Sequence, residues 1–386
     1  MRLGIDLSSL DELEKLKVKY YHNGQEIDPF VFFSNESHIK MVRIKLWHNP
    51  YDLNGNPYGG GTNDLACFLR LAKRAKEAGM DIVLALHYSD FWADPSRQKC
   101  PKAWEGLSFN EVLERVYEYT KETLEIIKNN GIDLKAIQVG NEITHGMIYP
   151  YGEIYDSNGE KEFNEKNGGG FKGHSSLLKQ GIKACKEVFP KALTIIHLEH
   201  SGSHDMQDYY FDKLLQYGVE FDVIGESYYP FWHGPIKMMI DNVTKLMNKY
   251  HKKVWIVEMG YEFRESLYPH ERDDFHEGED DEFIVGNIAG RIPFPFTKEG
   301  QKDYLDYLLK ECKKAKIDAV FYWEPCWIYL ENNGWASDAG QIYCNLEPTK
   351  PKNDWCHETL FDFEGKANIA NEVFNQDYID NENKEI

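Results

Sequence analysis

The feature that most constrains this chain is a regular alternation of short apolar runs with longer amphipathic ones. The runs Arg2–Asp6, Met41–Trp47, Asp81–Tyr88, Ala136–Glu142, Leu193–His200, Asp222–Tyr229, Val254–Tyr261 and Ala319–Glu324 read as strands. Several are continuously apolar, as expected where a strand is buried on both faces of a parallel sheet. Helical patterns lie between them, over Leu65–Ala78, Ser108–Asn130, Ser175–Val188, Asp205–Tyr217, Gly234–Tyr250 and Lys298–Ala315. In the second of these, Val112, Val116, Tyr119 and Leu124 share a face, and Gly131 follows the end. Eight strands in strict alternation with helices predict an α/β fold, a single-domain (β/α)8 TIM barrel.

The barrel is expected to occupy residues 1–375. Residues 326–375 would supply the last loop and last helix, with Leu360–Phe363 packing back on the barrel. Residues 376–386 read as a frayed acidic tail. No composition break divides the chain, and no apolar stretch approaches the ~18 residues of a membrane span.

The net charge of -20 disfavours nucleic acid and anionic membrane surfaces, which would repel the protein. A neutral or cationic ligand fits better. Aromatic residues make up 14% of the chain, with 9 Trp and 24 Tyr, and flat rings suit the apolar C–H faces of sugars. The 7 cysteines are scattered without CxxC spacing, which reads as reduced thiols. Met1-Arg2 leads straight into the first strand with no signal-peptide core. The chain as given is therefore expected to be cytoplasmic, or secreted if a leader has been removed.

In such a barrel the chemistry sits at the C-terminal ends of the strands. Those ends carry Asp6, Arg43, Trp47, His87, Asp90, Asn141, Glu142, His200, Glu226, Tyr228, Glu258, Tyr261, Trp323 and Glu324. A carboxylate ending a buried strand loses its hydration, which is costly unless something uses it. Glu142 closes the fourth strand and Glu258 lies on the seventh, across the barrel mouth. Such a pair suits glycosidic hydrolysis. Carboxyl groups ~5–5.5 Å apart would give retention, one acting as acid/base and the other as nucleophile. Asn141 can bond a sugar hydroxyl, Arg43 can keep the nucleophile ionised, and Tyr228 can orient it. The bland alternative for a lone strand-end Glu is a barrel-mouth ion pair, and that alternative is much weaker for two of them together with Asn141.

Six segments also carry a family resemblance. They are Arg43–Trp47, Gly59–Leu65, His87–Pro95, Gln138–Glu142, Ser227–Gly234 and Phe321–Pro325. Together they closely resemble the arabinogalactan endo-β-1,4-galactanases, glycoside hydrolase family 53, and the likeness runs over nearly the whole chain. The resemblance implies retaining cleavage of neutral β-1,4-galactan or galacto-oligosaccharides, with Glu142 as acid/base and Glu258 as nucleophile. It implies that Trp323 is a platform under the sugar and that Trp92, Asp94, Trp232 and His233 line the cleft. His87 and Asp90 fall within the segment most specific to the family. The pair His48-Asn49 and the pair Met259-Gly260 depart from the family pattern, and the Tyr151–Lys172 insert has no clear counterpart. A related glycosidase or transglycosylase on another neutral β-linked glycan is the alternative within enzymes. A non-catalytic galactan-binding protein is the alternative outside them.

Other signals carry less. Gly168–Gly173 fits GxGxxG, but it follows a polar loop rather than a strand. His197 and His200 fall on opposite strand faces and so do not share a metal easily. The stretch Glu262–Glu282 holds ten carboxylates. No cofactor is required by this reading. The resemblance makes calcium a candidate near Asp273, Asp274 and His276, in a loop that otherwise reads as solvated.

Overall fold

The computed structural model describes residues 1–265 and 294–375. Eight parallel strands close a barrel: β1 (Arg2–Asp6), β2 (Met41–Leu46), β3 (Asp81–Leu86), β4 (Ala136–Val139), β5 (Leu193–Leu198), β6 (Val223–Tyr228), β7 (Lys253–Met259) and β8 (Ala319–Tyr322). Each strand pairs with its sequence neighbours, and β8 pairs with β1 to complete the closure. The expected (β/α)8 architecture is therefore the observed one.

Two apolar populations hold it. Inside the barrel, Met41, Val83, Ala136, Ile195, Val223, Trp255, Val257, Ala319 and Phe321 form a buried layer of their own. Phe321 fits because Gly4 on the neighbouring strand has no side chain; a Cβ there would come within 2.3 Å of the Phe321 ring. Outside, the opposite strand faces pack on amphipathic helices, burying residues such as Val42, Ile44, Leu84 and Ile196. The principal helices are α1 (Leu65–Glu77), α2 (Phe109–Asn129), α3 (Gly170–Val188), α4 (His204–Gln216), α5 (Ile236–Tyr250) and α6 (Lys298–Lys314). Local chemistry sets their starts. The Asp64 carboxylate accepts from Cys67 N at 2.7 Å ahead of α1, and Ser108 with Glu111 forms a reciprocal cap on α2. Among the described residues, no helix is long and apolar enough to cross a membrane.

Most strands stop two or three residues before the sequence runs suggest, and the reason lies in the backbone. Tyr88, Glu142, His200 and Glu324 all adopt positive φ, between 43° and 63°, just past β3, β4, β5 and β8. Non-glycine residues rarely take this conformation, and where they do it often marks a functional site. Ahead of Glu142, Gly140 has φ 86°, and a Cβ there would sit 2.8 Å from Ile143. The chain turns inward here instead of extending the sheet.

The C-terminal expectation needs correction. Among the described residues, no long helix follows β8. Its place is taken by a short helix, Asp338–Tyr343, and by single 3-10 turns at Cys356–Glu358 and Ile369–Phe374. Leu360 and Phe361 do pack inward, with Phe361 edge-on to Tyr20 and Phe33. Residues 376–386 lie outside the described residues.

Candidate active site

The strand ends open into a cleft of about 760 Å³. Arg43, Lys45, His87, Asn141, Glu142, Glu258 and Trp323 line its floor, and loop residues including Trp92, Asp94, Tyr229, Trp232, Trp335, Trp355 and Glu358 line its walls. Both singled-out glutamates face this one space.

Glu258 reaches it through an irregularity. Glu226 pairs with Ile256 and Ser227 with Glu258, so Val257 is an extra residue in β7. This bulge breaks the two-residue alternation. Val257 fills the barrel interior while the next residue still presents its carboxylate to the cleft. There Glu258 Oε1 lies 2.8 Å from Arg43 Nη2. The guanidinium is fully engaged: Nη1 bonds Asp6 at 2.8 Å, Nε donates to Gln138 Oε1 at 3.0 Å, and Nη2 also reaches Asn141 Oδ1 at 2.8 Å.

The two carboxyls have unlike surroundings. Burial and the neighbouring charges of Glu258 and Glu199 push Glu142 well above the ordinary carboxyl range. Burial also raises Glu258, but the Arg43 charge opposes it. Both carboxyls are raised, Glu142 further than Glu258 because only Glu258 has the Arg43 charge beside it to favour its ionised form. Unequal carboxyls of this kind are what two-carboxylate catalysis needs. Glu142 itself accepts or donates at Ser227 Oγ, 2.6 Å away.

One wall of the cleft is aromatic and held from behind. Trp92 and Trp327 stack with ring centres 6.0 Å apart, and Trp327 stacks in turn on Trp355 at 6.0 Å. Trp92 Nε1 donates to Trp335 O at 2.9 Å. Lys45 Nζ sits 4.0 Å over the Trp92 ring and pairs with Glu324 Oε1 at 2.7 Å. Polar bottom and flat apolar sides are the shape complement of a neutral sugar chain.

Among the strand-end residues, Asp6, Trp47, His200, Glu226, Tyr261 and Glu324 do not line the cleft. Of those expected to act in catalysis or substrate binding, Arg43, His87, Trp92, Asp94, Asn141, Glu142, Trp232, Glu258 and Trp323 line it. Three do not. Tyr228 is fully buried behind the strand and donates to Gly234 O at 2.9 Å, because it alternates with the inward Ser227. Tyr229 takes the place expected for it. Asp90 is buried away from the cleft, bound to His48 Nδ1 at 3.0 Å and to Lys102 Nζ at 2.9 Å, so it fastens the loop after β3. His233 sits behind the wall, where its Nδ1 accepts from Tyr229 N at 3.0 Å. No residue of the Tyr151–Lys172 insert lines the cleft; it folds into small hairpins at its side.

The sequence left open which of Tyr228 and Tyr229 faces the site, and gave no role to Lys45, Arg97, Trp335, Trp355 and Glu358. Lys45 was findable, since a cation two residues after Arg43 in an apolar strand shares its face. The two tryptophans stand in loops without periodicity. The calcium candidates Asp273, Asp274 and His276 lie outside the described residues. Within these, Glu262, His357 and Glu358 come together, with His357 Nε2 3.5 Å from Glu262 Oε1. The imidazole lies between two buried carboxyl groups there, 4.0 Å from Glu358 Oε1 on the other side.

Comparison with known proteins agrees with this geometry. The chain matches the family model "Glycosyl hydrolase family 53" over residues 2–374. It is 32% identical to an endo-beta-1,4-galactanase of Bacillus subtilis, over 96% of this chain and 84% of that protein. It is 31% identical to an arabinogalactan endo-beta-1,4-galactanase of Cellvibrio japonicus, over 84% of this chain and 80% of that one. Its fold superposes on the Ignisphaera aggregans GH53 catalytic domain with a TM-score of 0.80 and 31% identity, covering 96% of this chain and 94% of that one. A barrel with two strand-end glutamates in one aromatic cleft thus meets a family match over nearly its whole length: the chain belongs to glycosyl hydrolase family 53.

Proposed function

We propose that this protein is a retaining glycoside hydrolase that cleaves β-1,4-galactan within the chain. The observation that carries the reading is the contrast between its two cleft carboxyls: Glu258 is ion-paired to Arg43, while among the described residues Glu142 makes no ion pair and is crowded by the charges of Glu258 and Glu199. Glu258 Oε attacks the anomeric carbon while Glu142 gives its proton to the departing glycosidic oxygen. A galactosyl–Glu258 ester results. Glu142, now ionised, takes a proton from water, whose oxygen attacks the same carbon and releases Glu258.

Other residues prepare these steps. Asn141 Nδ2 gives one hydrogen to Ala93 O at 2.9 Å, leaving its second for a sugar hydroxyl. Trp323, partly exposed on the floor, offers a ring face beneath the sugar at the cleavage point. Both relatives named above are galactanases, which supports galactan as the polymer.

Product analysis after incubation with linear β-1,4-galactan, and in parallel with galactotetraose, tests this. Mixed oligosaccharides appearing early from the polymer are expected. Action on the tetraose alone would overturn the endo mode, and no product from either would overturn the substrate.

A further inference from the structure

We propose that Ser227 and His197 are positioning residues that hold the proton on Glu142, through a chain of hydrogen bonds whose direction Arg43 and Asn141 fix. This rests on the reading of Glu142 as the acid/base.

The direction follows from counting hydrogens. Arg43 Nη2 only donates, and it points at Asn141 Oδ1 at 2.8 Å. Gln138 Nε2, whose amide is oriented by Arg43 Nε on its Oε1, donates to the same atom at 2.9 Å, so Asn141 Oδ1 is an acceptor. Asn141 Nδ2 donates to Ala93 O, which fixes the same amide orientation independently. His197 Nδ1 lies 3.0 Å from Asn141 Oδ1 and must therefore carry a hydrogen. In a neutral ring, Nε2 is then a bare acceptor. Burial and the Arg43 charge keep the ring neutral by pushing its basicity well below the ordinary imidazole range.

Ser227 Oγ is 2.9 Å from His197 Nε2 and 2.6 Å from Glu142 Oε1. A hydroxyl has one hydrogen. When it is given to Nε2, Oγ can only accept from Glu142, whose carboxyl must be protonated. When Glu142 has lost its proton to the leaving oxygen, the hydroxyl must turn to the carboxylate, and two lone pairs then face each other across the 2.9 Å gap to His197. The relay itself neither gains nor loses protons; it favours the acid form. Ser227, His197 and Asn141 are all nearly or fully buried, so water does not readily replace these partners.

The charged groups around Glu142 are Glu258 on β7, Glu199 after β5 and Asp94 after β3. Arg43, His87 and His233 face His197. Removing Ser227 leaves all of them in place, so its effect isolates the relay.

Two measurements test the inference. In the pH profile of kcat/KM on galactan, the basic limb that Glu142→Gln abolishes should move down by about one pH unit in Ser227→Ala, the loss of one neutral hydrogen bond. Ser227→Thr, which keeps the hydroxyl, should restore it. No shift, or an upward one, overturns the relay, because a serine that merely donates to the carboxylate has the opposite sign. The second readout needs no turnover and so stays informative if galactan is the wrong substrate. Nitrogen-15 spectra of histidine-labelled protein, with the His197 signals identified by their loss in His197→Gln, should show a neutral ring carrying hydrogen on Nδ1. An imidazolium, or hydrogen on Nε2, overturns the proposal whatever the enzyme cleaves.

Discussion

Arg43 stands between Asp6 and Glu258, 2.8 Å from an oxygen of each. One cation serves two buried carboxylates, and only one of them faces the cleft. Replacing Arg43 by Met would leave both charges without their partner. We expect a loss of about 3–5 kcal/mol of stability, measurable by urea unfolding. Activity should change in a definite direction too. Without the guanidinium, Glu258 becomes harder to ionise, so the acidic limb of kcat/KM moves to higher pH.

Tyr228 and Tyr229 are adjacent but face opposite ways. Tyr228→Phe removes a buried bond to Gly234 and should cost about 1 kcal/mol while leaving kcat/KM near wild type. Tyr229 lines the cleft, and the Glu258 charge acts on it. Tyr229→Phe should lower kcat/KM by roughly tenfold or more with little effect on melting. The reverse pattern would show that the bulge in β7 does not orient the site as described.

Much of this was legible in the chain. The eight apolar runs announced the barrel because parallel strands must be buried on both sides, and their last residues announced a site because ionisable groups do not end such strands without cause. What stayed hidden depends on the third dimension. Ser227 and Tyr228 cannot be told apart by composition, because the register shift beside Ser227 arises in pairing with β7. Asp90 looked like a cleft residue until His48 and Lys102 were found around it. The sequence says of His197 only that it faces away from His200, and only Asn141, just past β4, and Ser227 on β6 show that both its nitrogens are engaged.

Glu142 should behave as an acid whose value depends on the leaving group. Glu142→Gln ought to lose about 10²–10⁴-fold on galactan. On an aryl galactoside whose leaving group needs no proton, formation of the glycosyl enzyme should be nearly unaffected. A uniform loss on both substrates, measured by pre-steady-state release of the phenol, would count against the role.

Glu199, just beyond β5, is almost fully buried, and burial pushes its carboxyl up to about 7. A carboxyl raised on folding binds more protons in the native state than in the unfolded one. Its destabilising contribution therefore grows as pH rises from about 4.5, the unfolded value, through 7, and is complete above that. Glu199→Gln should remove this loss, worth roughly 3 kcal/mol at pH 8 and little at pH 4. Urea unfolding at the two pH values checks it; an equal effect at both would contradict the titration.

In this mechanism Glu258 forms a covalent bond to the sugar. Incubation with an aryl 2-deoxy-2-fluoro-β-galactobioside, followed by mass spectrometry of the intact and digested protein, tests it most directly, since the fluorine slows release of the glycosyl enzyme. One adduct per chain is expected, on the peptide containing Glu258 and absent from Glu258→Ala, a variant that should keep its fold and lose all turnover. An adduct on another residue, or an alanine variant that still hydrolyses galactan, would contradict it.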